Sequence, residues 1–280
     1  MSTLTPDASL QGRVCIVTGA SRGLGRVMAE ALVDAGARVA AMDIAESEAL
    51  VEAKAARRPQ DGRLFRILAD VRVPADCESA VAQTLARFGA IHVLVNNAGI
   101  GTRAINAVYD VKPLKFWELP IEGWHQLIDV NLNGIFHMAH AAAPHLVAGE
   151  FGRIVNISTG WVTMARYGDS PYGPSKAALE SCTAIWAKEL AGTGVTCNAL
   201  LPGGPTDTQL ARGAGTRAAS SATTFLKPEI MAAPILWLAS DRSASWTGRR
   251  FIAKDWDPSL PPDEAAAKAA SPARELPAII

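Results

Sequence analysis

The chain has 280 residues, of which 49% are apolar and only 19% charged, enough for a large hydrophobic core. Lysine plus arginine number 27, as do aspartate plus glutamate, and no basic run occurs, which argues against a partner that is nucleic acid or an anionic membrane. The four cysteines are scattered without a CxxC pair, which argues against a disulfide framework or a zinc site. The first ten residues lack the features of a signal segment, and no apolar run is long enough to cross a membrane, so we expect a cytoplasmic protein with no membrane partner.

Short apolar segments alternate with helical patterns along the chain. Strands are predicted at 14–18, 37–43, 64–70, 92–99, 153–158, 194–202 and 249–255. Helices are predicted at 24–35, 75–88 and 122–148, with left-handed stops at Gly36, Gly89 and Gly149. Strands that are apolar on both faces are typical of a parallel sheet covered by helices. We therefore predict an α/β fold, a single-domain doubly wound (Rossmann-type) parallel sheet of about seven strands with helices on both faces.

The domain is predicted to span residues 1–256. The remaining residues, 257–280, are rich in proline and alanine, and we expect a tail that is mobile or packs on a neighbouring subunit. Residues 207–227 have the Gly, Ala, Ser and Thr composition of a mobile lid.

A glycine-rich segment, TGASRGLG at residues 18–25, follows the first predicted strand and opens a helix. In that context backbone N–H groups can approach a pyrophosphate, with Gly19, Gly23 and Gly25 at the positions of closest approach. Asp43 ends the second strand, where a carboxylate can accept hydrogen bonds from ribose hydroxyls, whereas Arg22 could pair with a 2′-phosphate. Because that phosphate would lie against the carboxylate, we expect NAD as the cofactor and keep NADP as the alternative.

Tyr172 and Lys176 stand four residues apart in YGPSK, so they share one face of a helix. An ammonium beside the phenol stabilises phenolate and lowers the tyrosine pKa from its ordinary value near 10, which would make the tyrosine a general acid/base. The spacing is common by chance, and a half-buried tyrosine next to a solvated lysine is the plain alternative.

Taken together and in this order, the motifs resemble the short-chain dehydrogenase/reductase family over approximately residues 10–255. The matching pieces are TGASRGLG, Asp43, ADV at 69–71, NNAG at 96–99, Asn131 in DVNLNGIF, NISTG at 156–160, YGPSK at 172–176 and PG at 202–203. The resemblance implies hydride transfer between a nicotinamide dinucleotide and an alcohol or ketone. It also implies that Tyr172 exchanges the substrate proton, that Lys176 holds the nicotinamide ribose and that Asn131 anchors a water.

The cofactor site implied in this way is large, and it includes both residues of the YGPSK pair. Its members are Gly19, Ser21, Arg22, Gly23, Leu24, Gly25, Asp43, Asp70, Val71, Asn97, Ala98, Gly99, Tyr172, Lys176, Pro202 and Gly203. For Asp70, capping of a helix is the alternative role, and for Asn131 a place at a helix kink.

Three positions depart from the family pattern. The family usually has a serine thirteen residues before the catalytic tyrosine, where this chain has Thr159, with Ser158 as the second candidate for the catalytic hydroxyl. Thr159 keeps a hydroxyl that can donate to a substrate oxygen. Pro205 lacks the N–H of a cofactor contact, and KDWD at 254–257 replaces an Asp-Gly-Gly stretch. These departures suggest, as a rival from another class, a catalytically silent cofactor-sensing protein.

The substrate side rests on four residues between Thr159 and Tyr172, namely Trp161, Met164, Arg166 and Tyr167. Their bulk favours a bulky apolar or aromatic alcohol or ketone. We expect no metal, because His137 and His140 have no carboxylate or cysteine to complete a ligand set. The resemblance further implies a homotetramer or homodimer.

Overall fold

The computed structural model describes residues 10–44, 62–109, 111–208, 210 and 225–272. Its strands are β1 (Val14–Thr18), β2 (Arg38–Asp43), β3 (Leu64–Leu68), β4 (Val93–Asn96), β5 (Gly152–Ile157), β6 (Val195–Leu201) and β7 (Arg250–Ile252). They form one seven-stranded sheet in the order β3-β2-β1-β4-β5-β6-β7, and every pairing is parallel. The predicted α/β doubly wound sheet is confirmed.

Eight α-helices lie in the described part of the chain. They are α1 (Gly23–Asp34), α2 (Pro74–Phe88), α3 (Ile121–Ile128), α4 (Gly134–Ala148), α5 (Trp161–Met164), α6 (Tyr172–Glu189), α7 (Ala232–Ala239) and α8 (Pro262–Ala269). Among these residues no helix is both long and apolar enough to cross a membrane.

The sheet separates two hydrophobic cores. Alternate residues of a strand face opposite sides, so Cys15 and Val17 pack with α1 and α7, whereas Ile16 packs with α2 and α4. All five residues of β1 are buried. A central strand covered on both faces explains why the predicted strands are apolar throughout rather than alternating.

The long helix predicted at 122–148 is interrupted. Residues Asp129–Asn133 form a π-helical turn between α3 and α4. The extra residue in such a turn changes the direction of the side chains within it, and π-turns are frequent at functional sites. Here it directs the amide of Asn131 toward the backbone of Ile100.

The predicted left-handed stops are right at Gly36 and Gly89, whose φ angles are 97° and 83°. The prediction is wrong at Gly149, where φ is −82° and the N–H still donates to His145 O. The left-handed residue is Glu150, one position later, with φ 52°. The carbonyl of Glu150 packs against Gly194, where a Cβ would come within 2.2 Å of Glu150 O. Glycine is therefore required at position 194 rather than at position 149.

The first part of the predicted tail has a defined position. Residues 257–272 pack on the chain's own core rather than standing free, since Ala265, Ala266 and Ala269 of α8 are buried. Asp263 accepts a hydrogen bond from Trp237 Nε1 at 2.8 Å, and Ala270 forms an antiparallel bridge with Phe251 of β7. Residues 273–280, and residues 209 and 211–224 of the predicted lid, lie outside the described residues.

Candidate active site

The glycine-rich segment lies where β1 ends and α1 begins, at the carboxyl edge of the sheet. Gly19 and Gly23 have φ angles of 63° and 55°, which side chains rarely tolerate. A Cβ on Gly25 would lie 2.1 Å from Gly19 O and 2.4 Å from Asn97 Nδ2. Leu24, between them, packs against the core under α1. The loop is therefore folded too tightly for any other residue at position 25.

The end of β4 is fastened to this loop. Asn97 Nδ2 donates to the carbonyls of Thr18 and Gly19 at 2.9 and 3.0 Å. In return, Thr18 Oγ1 accepts hydrogen bonds from the backbone N–H groups of Asn97 and Ala98 at 3.0 and 2.9 Å. The NNAG segment and the glycine loop thus hold each other in place.

Asp43 lies at the end of β2 with its carboxylate turned toward the loop. Oδ2 accepts from Ser21 N at 2.9 Å, and Oδ1 accepts from Ile44 N at 2.8 Å. Each carboxylate oxygen has a second lone pair, so Asp43 can still accept bonds from a ligand. Arg22 precedes α1 in extended backbone and its side chain is exposed.

Asp70 and Val71 follow β3. Arg72 donates to the carboxylate of Asp70 from Nε and from its own backbone N, both at 2.9 Å, and these bonds lower the carboxyl pKa. Asp70 does not cap α2, whose N-cap residue is Val73. Val71 is buried against α4, where a Cβ on Gly134 would come within 2.7 Å of it.

Asn131 is fully buried in the π-helical turn and clamps the loop after β4. Oδ1 accepts from Ile100 N at 2.8 Å, and Nδ2 donates to Ile100 O at 2.9 Å. A Cβ placed on Gly99 would lie 3.3 Å from Asn131 Oδ1 and 3.8 Å from Lys176 Nζ, so these three residues meet at one point.

Lys176 is 95% covered, with a relative exposure of 5%. Its ammonium donates to Ile157 O, at the end of β5, at 2.8 Å. Burial lowers the pKa of Lys176 to about 8, and the carboxylate of Glu180, one helical turn later, opposes that change. The plain alternative of a solvated lysine is therefore excluded.

Tyr172 begins α6, and its hydroxyl shares a hydrogen bond with the hydroxyl of Thr159. Burial raises the pKa of Tyr172 to about 12, and the bond to Thr159 only partly opposes this. The net direction of the Tyr172 pKa is opposite to the lowering expected from the sequence, because removal from water outweighs the nearby groups.

Of the two candidate hydroxyls after β5, only Thr159 meets Tyr172. Ser158 is buried and donates from Oγ to Glu180 Oε1 at 2.6 Å. It contributes to the support of the loop, whereas the Thr159 hydroxyl lies next to that of Tyr172.

Two residues near this loop, Arg250 and Glu180, were not predicted from the sequence. Arg250 of β7 forms an ion pair with Glu180 of α6, with 2.9 Å between Nε and Oε1. Arg250 also donates to Thr159 O at 2.7 Å, and its guanidinium lies 4.7 Å from the centre of the Trp161 ring. The spacing of Glu180 four residues after Lys176 was the one available signal; nothing in the sequence links Arg250 to either residue.

The predicted substrate residues lie along the segment between Thr159 and Tyr172. Trp161 stacks on Arg250, and Met164 O lies so close to α6 that a Cβ on Gly173 would be 2.0 Å away. Arg166 donates to Thr163 Oγ1 at 3.1 Å, and Tyr167 is exposed. The segment therefore borders Tyr172, since the Met164 carbonyl contacts the start of α6 at Gly173.

Pro202 and Gly203 follow β6 at the same edge of the sheet. Pro202 O accepts from Lys254 N at 3.0 Å, and Gly203 has φ 91°. A Cβ at Gly203 would lie 2.5 Å from Lys254 Cγ, so this turn requires glycine. Within the described ranges, no group of three or more His, Cys, Asp or Glu side chains could hold a metal ion.

Comparison with known proteins identifies relatives over most of the chain. The family described as short chain dehydrogenase matches residues 13–218. The chain is 34% identical over 247 residues to 3-oxoacyl-[acyl-carrier-protein] reductase of Thermotoga maritima, covering 86% of this chain and 95% of that protein. It is 37% identical over 191 residues to 2-(R)-hydroxypropyl-CoM dehydrogenase of Xanthobacter autotrophicus, covering 68% and 74% of the two chains.

The fold also matches solved structures. Ligand-free aldohexose dehydrogenase of Thermoplasma acidophilum superposes with a TM-score of 0.71 at 28% identity, covering 87% of this chain and 92% of that one.

Proposed function

The chain belongs to the short-chain dehydrogenase/reductase family, an NAD(P)-dependent class of oxidoreductases that act on CH-OH groups, and we propose that it interconverts a secondary alcohol and a ketone with NAD. The observation that carries the proposal is the hydrogen bond between the hydroxyls of Tyr172 and Thr159, with buried Lys176 one helical turn along α6.

In the proposed reaction, Tyr172 removes the proton from the substrate hydroxyl, and Thr159 orients the substrate oxygen by a hydrogen bond. A bound nicotinamide dinucleotide supplies the hydride acceptor for alcohol oxidation. The tyrosine pKa of about 12 must fall for Tyr172 to act as a base near neutral pH. Lys176 holds positive charge near the site, and a positive charge close to the phenol favours its ionised form.

The residues present fit a dinucleotide. The loop has no room for a side chain at Gly19 or Gly25, and the positive φ of Gly23 also favours glycine. It opens α1, a twelve-residue helix whose first N–H groups face the loop. Asp43 keeps free lone pairs at the end of β2 for ribose hydroxyls. Asp70 and Val71 belong to the adenine side of the proposed site. Residues 97–99, Pro202 and Gly203 belong to its nicotinamide side.

Replacement of Tyr172 by phenylalanine tests the proposal. It removes one hydroxyl and retains the ring, so kcat should fall by about 10²- to 10⁴-fold, the usual contribution of general acid/base catalysis. The dissociation constant for NAD, measured by calorimetry, should stay within about threefold, because the cofactor loop is untouched. Substrates are found with a panel of alcohols and ketones, followed by absorbance of the reduced cofactor. A variant that turns over at the wild-type rate would exclude the proposed role of Tyr172.

The NADP-dependent ketoreductase is the second candidate, and exposed Arg22 is the feature that favours it. A ratio of kcat/KM for NADH over NADPH above one supports our assignment, and a ratio below one supports the second candidate. Tight binding of NAD together with failure to oxidise or reduce any compound of the panel would favour the catalytically silent protein.

The substrate proposal rests on the bulk of Trp161 and Met164, in the segment between Thr159 and Tyr172, which favours an apolar or aromatic alcohol. A preference for small charged substrates in the same panel would contradict it. A cytoplasmic location and a homodimer or homotetramer complete the proposal, and sedimentation of the purified protein tests the oligomeric state.

A further inference from the structure

The loop that carries Thr159 has few supports of its own. β5 ends at Ile157 and α5 begins at Trp161, so residues 158–160 belong to neither element. Ser158 N still donates to Leu200 O of β6 at 2.9 Å. The position of the Thr159 hydroxyl therefore depends on the contacts of the Thr159 carbonyl and of the Ser158 side chain.

That support comes from Arg250, two strands away. Ala199 of β6 pairs with Asn156 of β5 and with Arg250 of β7, so about 10 Å separates the outer strands of this row. A side chain must be long to cross β6 and reach the loop. Arg250 does so and donates from one guanidinium nitrogen to Thr159 O at 2.7 Å and from another to Glu180 Oε1 at 2.9 Å.

Glu180 connects the same support to α6. Its Oε1 also accepts from Ser158 Oγ at 2.6 Å, so each of the two loop residues is held by one member of the ion pair. Both charged side chains are nearly buried, with relative exposures of 12% and 11%. Burying an ion pair often gives little net stability, so stability alone is a weak account of this arrangement.

We propose that Arg250, held by Glu180, is a positioning residue that fixes the Thr159 hydroxyl against Tyr172 and orients the Trp161 ring. The inference rests on the proposed function, since it assigns Arg250 a part in the catalytic geometry described there. In this role Arg250 acts through its bond to Thr159 O and not as a catalytic residue.

The main test is Arg250→Gln, with Arg249→Gln as the matched control. Arg249 is the preceding residue of the chain, but it donates to Ser271 O at 2.9 Å and stacks on Trp246 at 4.9 Å, away from Thr159. We expect Arg250→Gln to lower kcat by about 10- to 100-fold, as a small misplacement of a catalytic group does, while KM for NAD changes less than about threefold. Equal turnover of the two variants would overturn the inference.

A double-mutant cycle separates positioning from general damage. In a Thr159→Ala background the hydroxyl is gone, so its placement no longer matters and Arg250→Gln should change kcat by less than about twofold. An undiminished effect in that background would show that Arg250 does not act through Thr159, and would also overturn the inference. Arg250→Lys keeps the charge but lacks the planar, longer guanidinium that bonds Thr159 O and Glu180 from separate nitrogens, so it should have an intermediate kcat.

Loss of Arg250 leaves the Glu180 carboxylate buried without its partner, so the single variant could fold poorly. The paired variant Arg250→Gln/Glu180→Gln removes both charges, keeps an acceptor for Ser158, and enters the same cycle. Tyr172→Phe distinguishes a failure of the proposed function from a failure of the role proposed for Arg250. An active Tyr172→Phe removes the proposed function, whereas an inactive Tyr172→Phe beside a fully active Arg250→Gln removes only the role of Arg250.

Discussion

Replacing Lys176 with methionine is expected to abolish activity and to change how the free energy of unfolding depends on pH. The folded-state pKa of Lys176 is about 8, against an ordinary value of 10.5. At pH 7 the amine is protonated in both the folded and the unfolded chain, so the whole difference of about 2.5 pKa units opposes folding, about 3 kcal/mol at 1.36 kcal/mol per unit.

The sign follows from proton binding. Because the folded pKa is lowered, the unfolded chain binds more protons between about pH 8 and 10.5, and stability rises with pH across that window. Methionine has a similar length and no charge, so the variant lacks this rise. Between pH 7 and pH 10 the wild type should gain about 2 kcal/mol relative to Lys176→Met.

Urea unfolding of both proteins at pH 7, 8, 9 and 10 measures this difference. Loss of the hydrogen bond to Ile157 O lowers the free energy of unfolding of Lys176→Met by the same amount at every pH. Tyr172 titrates in both proteins. Neither effect therefore changes how the stability difference between the two proteins depends on pH. Parallel curves over the whole range would refute the conclusion that a buried ammonium opposes folding.

Three further substitutions test the site. Thr159→Ala should lower kcat by about 10- to 100-fold, because the bond to Tyr172 is lost. Thr159→Ser keeps the hydroxyl, and its kcat should remain within about threefold of the wild type. Steady-state rates at saturating cofactor compare the two variants. Gly25→Ala should abolish NAD binding in calorimetry, because its Cβ would meet Gly19 O at 2.1 Å; binding at wild-type affinity would contradict the tight loop. Asp43→Ser should raise the ratio of kcat/KM for NADPH over NADH by about tenfold or more, since it removes a carboxylate from the place of a 2′-phosphate; an unchanged ratio would count against its role in cofactor choice.

Local sequence signals were sufficient where one segment determines both structure and role. The glycine loop, Asp43 and the Tyr172–Lys176 spacing all predict positions that the structure places at one edge of the sheet. These predictions succeed because a turn that needs glycine at positive φ, or two residues one helical turn apart, can be recognised from a few consecutive residues.

Features that depend on distant residues were not predictable in this way. Arg250 and Glu180 are 70 positions apart, and their ion pair exists only because β7 and α6 meet beside the same loop. The pKa of Tyr172 likewise depends on burial, which is a property of the assembled fold and outweighs the neighbouring charges. At Gly149 the local signal was present, but the left-handed turn formed at Glu150.

The contacts of residues 257–272 bear on aggregation. β7 has only three residues and stands at the edge of the sheet, where unpaired backbone groups could recruit a strand from another molecule. The chain closes that edge itself, because Ala270 bridges Phe251 and Ser271 N donates to Arg250 O at 2.7 Å. A protein shortened to residue 256 would expose this edge and the buried face of Trp237, and it should form larger aggregates through β7 at concentrations where the longer chain does not.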